Sequence, residues 1–236
     1  MVRDNTGRFG QRPHYASEEL DRECEALILS FLRRHHGEER FPVATDDLHV
    51  LIEEFAEDLD AYADLSAYGD DVEGVTAFFP DRRPSVSISE KLANDPRREN
   101  RLRTTLTHEF GHVYFHRHLW DEKFFSGRLF GPTALENKTI CKRDTILGAG
   151  QYDWMEWQAG YVSGAMLMPV RPVRRLVGDY REKHALLSSL NVHSEHAREI
   201  LRRVTERFAV SEDAARVRLL KLNFLTESAS EASLFD

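Results

Sequence analysis

The chain has 236 residues, 41% of them hydrophobic and 31% charged, with a formal net charge of −8, enough for one domain with a substantial core. The acidic balance argues against a dedicated nucleic-acid binder, whose basic excess displaces counterions from phosphate. No apolar run approaches the roughly 20 residues that span a bilayer, and Cys24 and Cys141 alone make no disulfide framework.

MVRDNTGRFGQRPHY lacks the apolar stretch of a secretory signal, so the expected compartment is cytoplasmic. Residues 1–16 are polar with Gly and Pro, which predicts a flexible leader. A helix follows, with Ser17 as its cap, Glu18 and Glu19 at its positive end and Gly37 closing it. Its residues Leu20, Cys24, Leu27, Ile28, Phe31 and Leu32 recur at helical spacing. A second helix starts at Thr45, with Leu48, Leu51, Ile52 and Phe55 inward.

Leu59, Ala61, Ala63 and Leu65 then alternate, VEGVTAFF (72–79) is β-prone, and SVSIS (85–89) alternates again. These predict two or three strands of a small antiparallel sheet. Asp95 as cap and Pro96 at the first helical position open a helix that runs on through the histidines. Leu102, Leu106, Phe110 and Val113 form its expected core stripe. Residues 120–153 hold Gly127, Gly131, Pro132, Gly148 and Gly150 without a period, and read as a long irregular insertion.

A helix over 154–167 stops before Pro169. Beyond Pro172 the chain is helical and Arg-rich, with Ala197, Ile200, Leu201, Val204 and Phe208 as an amphipathic stripe and a further helix from the Ser211 cap. TESASEASLFD is expected to be disordered. Helices, strands, then helices predict an α+β fold. The expected divisions are the leader, a main domain over 17–180, a helical C-terminal subdomain over 181–225 and a tail over 226–236.

The chemistry concentrates in THEFGHVYFHRHLW (107–120). Residues i and i+4 of a helix share a face, so His108 and His112 can reach one ion. Glu109, about 100° round the axis, is poorly placed as a ligand but can reach a water beside that ion. That arrangement suits hydrolysis, with Glu109 as the base, and H-E-x-x-H is a zinc-hydrolase signature.

Catalytic zinc usually takes three protein ligands. His118 has the offset of the metzincin third histidine, but Phe115 stands where that pattern needs a helix-breaking glycine. His116 continues the row along the helix and cannot wrap a tetrahedral ion, which suits it to a supporting role. The better third ligand is Glu156 in DWMEWQAGYVSGAMLMP, on a separate helix whose Ala159, Gly160, Ser163, Gly164 and Ala165 permit close packing. Asp153 is the runner-up, as a ligand or as a partner orienting a histidine.

RLRTTLTHEFGHVYFH, EWQAGYVSGAMLMP and RFAVSEDAARVRLLKLNFL, taken together, resemble the ImmA/IrrE family of metallo-endopeptidases from about residue 17 to 225. The resemblance implies a zincin-like domain with zinc on His108, His112 and Glu156 and Glu109 as the catalytic residue. It implies that the SVSIS strand offers an edge for an extended peptide. It also implies a protein substrate, a transcriptional repressor, cleaved to switch on mobile-element or stress genes. A regulator that binds a repressor without cutting it is the alternative. Manganese or iron can replace zinc at such a His₂-carboxylate set. Gly160 replaces an asparagine usual in the family, and the stretch between the two motifs is long.

Tyr152, His116, His118 and Tyr161 are candidates for stabilising the transition state. Cys141 reads either as a thiolate that blocks the metal or, as is commoner for a lone cysteine, as a small hydrophobe. The segment VTERFAVSEDAARVRLLKLNFL has a helix-turn-helix look, with Arg216, Arg218 and Lys221 as the residues for DNA. Seven Lys/Arg against five Asp/Glu over 193–223 leave a surplus of two, too thin for strong phosphate binding, so a packed hairpin is expected instead.

Overall fold

The computed structural model describes residues 1–125, 137–142 and 153–227. Helix α1 (Ser17–His36) is capped by Ala16 and not by Ser17. The Glu19 carboxylate reaches back and accepts from the Ala16 amide at 2.8 Å, the half of a capping box that needs no cap hydroxyl. Gly37 closes the helix at φ +76°, a left-handed position that favours glycine. Helix α2 (Thr45–Phe55) follows, and Phe55 packs edge-on against Phe110 with ring centres 5.5 Å apart.

Strands β1 (Asp58–Ala63), β2 (Val72–Ala77), β3 (Ser85–Ser89) and β4 (Lys138–Lys142) form one sheet in the order β1-β3-β2-β4. The expected all-antiparallel sheet is corrected to a mixed one, since β1 runs parallel to β3 while β2 is antiparallel to both neighbours. Alternation marks a strand but carries no record of its partner. The SVSIS strand β3 lies inside the sheet, and β4, from the stretch expected to be irregular, takes the edge beside β2.

A one-turn helix α3 (Glu90–Ala93) leads to a 3₁₀ turn in which Asp95 caps and Pro96 begins, as expected. Helix α4 (Glu99–Phe125) then runs through the middle of the molecule against α2, α5 (Trp154–Leu167) and the inner face of the sheet. Every residue from Leu102 to Val113 is buried, so the core covers α4 all round and is not confined to the expected stripe. Its polar side chains find partners: the hydroxyls of Thr107 and Ser163 meet at 2.9 Å, and Arg103 donates to the Phe208 carbonyl.

Helices α6 (Val170–Lys183), α7 (Glu195–Phe208) and α8 (Glu212–Lys221) complete the chain, with Ser194 and Ser211 as side-chain caps. The predicted α7 stripe is fully buried, and its four larger residues contribute roughly 1.5–3 kcal/mol each. One continuous cluster joins Leu20 of α1 to Leu219 of α8 and Leu225, so the helices of the expected C-terminal subdomain share the main core. Arg218 is buried in an ion pair with Asp21 of α1 and donates to the Met168 carbonyl. Of the three residues that a DNA reading needs, Arg218 is therefore inside.

Residues 1–12 fold over one end of α4 and α5. Asp4 accepts hydrogen bonds from the Trp154 indole at 2.9 Å and from the amides of Thr6 and Phe9. Phe9 sits edge-on to Trp120. A buried indole N–H needs an acceptor, and this contact gives the predicted loose leader a fixed place. Among the described residues no helix is long and apolar enough to cross a membrane.

Candidate metal centre

Three donor atoms converge where α4 meets α5. His108 Nε2 lies 3.1 Å from Glu156 Oε2, His112 Nε2 lies 3.2 Å from Glu156 Oε1, and the two Nε2 atoms are 3.2 Å apart. The histidines share one face because they stand one turn apart on α4. Glu156 reaches them because the helices nearly touch: a Cβ added at Gly111 would lie 3.0 Å from the Ala159 Cα. Close packing of α5 was expected from its own small residues; the glycine inside H-E-F-G-H is the other half of that contact.

The donor set fits a divalent ion. Ligands held tetrahedrally at roughly 2.0–2.1 Å stand about 3.3 Å apart, close to the spacing of the two histidine nitrogens and of each histidine from one Glu156 oxygen. Both histidines are fully buried, and one nitrogen from each lies within 4.8 Å of a Glu156 oxygen and of the other, a grouping that could hold one metal ion. Burial pushes the Glu156 carboxyl up, but His112 and His108 beside it outweigh this and hold it well below its ordinary range. It is thereby kept as the ionised form that ligation needs.

Glu109 is fully buried between α4 and the sheet. Thr76 Oγ1 of β2 donates to Glu109 Oε2 at 2.6 Å. The other oxygen has no aligned hydrogen-bond partner among the described residues. Gly74 makes room for it, because a Cβ at that position would lie 2.4 Å from Glu109 Oε1. Burial pushes the carboxyl up to about 7, against the pull of His112 and the Thr76 hydroxyl. A carboxyl poised there can take and return a proton near neutrality.

Cys141 of β4 pairs with Gly74 and completes a second close group with His108 and Glu109. Its thiol is fully buried, and desolvation, then the Glu109 and Glu156 charges, push it well above its ordinary range. His116 is also fully buried; its Nδ1 lies 3.0 Å from His112 Nδ1 and its Nε2 3.0 Å from Gln158 Oε1. Desolvation, then His112, hold it well below the usual histidine range.

The remaining candidates lie elsewhere. His118 is on the exposed side of α4. Asp153 caps α5 by accepting from the Met155 amide and pairs with Arg8 at 3.1 Å. Tyr161 donates to Asp21 Oδ2 at 2.9 Å, far round the helix from Glu156. Tyr152 lies outside the described residues. Thr76, Gly74 and Gln158 escaped the sequence reading. Gln158 stands two residues after Glu156 and carried a signal only if the His116 side of α4 was already known to face α5.

No protein-family model and no curated protein matches this chain.

Proposed function

We propose that the chain is a zinc-dependent endopeptidase of zincin-like architecture, akin to the ImmA/IrrE family, that works in the cytoplasm on a partner protein of the repressor type. The observation that carries this reading is the convergence of His108, His112 and Glu156 beside a buried Glu109. His108, His112 and Glu156 would hold the ion. When bound, it supplies Lewis acidity, lowering the pKa of water and polarising a carbonyl.

Glu109 accepts the proton of the attacking water on Oε1, while Thr76 keeps Oε2 in place. The hydroxide equivalent adds to the scissile carbonyl carbon. As the C–N bond breaks, Glu109 passes that proton to the leaving nitrogen, so that one water is consumed and two termini form. Gly74 fixes how far Glu109 stands from the sheet. β4, at the sheet edge next to β2, is the strand beside which an extended substrate would add.

The second reading, a regulator that binds a repressor without cutting it, draws support from the complete burial of Glu109 and Cys141 where α4 meets the sheet. Incubation with candidate repressors, with and without Glu109→Gln, separates the two. The peptidase reading expects two fragments from the parent chain and none from a variant that still holds zinc. Release of repressor from DNA by both forms, with no fragments, favours the regulator.

A further inference from the structure

We propose that His116 and Gln158 are positioning residues that set the tautomer of His112, leaving its Nε2 as a bare lone pair aimed at Glu156 and His108. The inference rests on the metal-site part of the proposed function and goes beyond it by assigning the proton on each ring nitrogen.

Three buried groups form a chain. Gln158 Oε1 is 3.0 Å from His116 Nε2, and His116 Nδ1 is 3.0 Å from His112 Nδ1. Gln158 is 1% exposed and both histidines are 0% exposed, so water does not supply alternatives. A carbonyl oxygen carries no hydrogen, so His116 Nε2 must donate to it. A neutral imidazole has one N–H, which leaves His116 Nδ1 as an acceptor. The Nδ1–Nδ1 contact then needs its proton from His112. That proton is the only one a neutral His112 has, so its Nε2 is unprotonated, 3.2 Å from both His108 Nε2 and Glu156 Oε1.

The direction of the chain hangs on the amide. With the Gln158 amide turned round, its NH₂ donates to His116 Nε2 and His116 donates to His112 Nδ1. The last proton is then forced onto His112 Nε2, which blocks ligation. An imidazole whose far N–H is held by a buried acceptor is also a more basic and better oriented ligand. His108 has no such support: its Nδ1 finds no partner among the described residues. His112 is therefore the anchored ligand of the pair.

Two readouts test this. In metal-free, ¹⁵N-histidine-labelled protein, at a pH where both rings are neutral, the ring nitrogens of His112 should show the Nδ1–H form and those of His116 the Nε2–H form. Finding His112 protonated at Nε2 overturns the proposal without any variant. Zinc affinity, by competition with a chromophoric chelator, should weaken about 10–100-fold in His116→Leu and Gln158→Met. It should largely recover in His116→Gln, whose amide can accept from His112 and donate to Gln158. Equal affinity in wild type and folded His116→Leu refutes the positioning role while leaving the metal site standing. If wild type binds no zinc and His108→Ala changes nothing, the metal reading itself fails.

Discussion

The Glu109 carboxylate shows how single contacts set the position and proton affinity of a buried group. It sits against a backbone that has no Cβ at Gly74, with one oxygen held by Thr76. Gly74→Ala should drive Glu109 off its position and lower kcat/KM by about 100-fold, while zinc stoichiometry stays at the wild-type value. Unchanged turnover would mean that the carboxyl is not the proton carrier. Burial has a second consequence in the metal-free chain. A carboxyl whose pKa rises from 4.5 unfolded to about 7 folded contributes fully below the unfolded value, and its contribution is lost as pH climbs through 7. Glu109→Gln should therefore melt like wild type near pH 4 and be more stable at pH 8, by an amount on the order of 3 kcal/mol. Urea titrations of chelator-treated protein at the two pH values decide it, and a gap that does not widen with pH contradicts the assignment. Of the site residues, His108 and His112 were legible from their i, i+4 spacing, and Glu109 from its place one residue after His108. Tyr161 could have been set aside by the same arithmetic, since five residues beyond Glu156 is about 140° round the helix.

Between elements, the site depends on how closely α4 and α5 approach. Gly111→Ala would place a methyl 3.0 Å from the Ala159 backbone, where no flexible side chain can yield. The expected result is a loss of about 1–3 kcal/mol in stability and weaker zinc binding, because Glu156 retreats with α5. Calorimetry with and without zinc reads both, and a variant unchanged in both would show that the helices have slack. Helix positions, the Asp95–Pro96 start and the inward α7 stripe were readable because they follow from local period and capping. Sheet partners were not. The β1–β3 pairing is parallel, and β4 comes from a stretch rich in Gly where only Thr139, Ile140 and Cys141 hint at a strand. Register across such distances is decided by which face the core covers.

At the scale of the whole molecule, the C-terminal helices are tied to the first one. Arg218 of α8 and Asp21 of α1 approach to 2.7 Å, with only 2% and 12% of their side chains exposed. Asp21→Ala would strand a buried guanidinium and should cost about 3–5 kcal/mol. Adding Arg218→Met should restore most of that loss, and denaturant unfolding of the single and double variants checks it. A mild single variant would show that α8 is not locked to α1. A packed hairpin was expected from its thin basic surplus and visible amphipathic stripes, but its partner in α1, about 190 residues earlier in the chain, leaves no mark in the local pattern.

Metal analysis of untagged protein alongside His108→Ala, Glu156→Ala and Glu109→Gln tests the proposed centre directly. One divalent ion per chain is expected in wild type and in Glu109→Gln, and its loss in the other two. Wild-type protein without a stoichiometric ion, or an ion indifferent to Glu156, would contradict it.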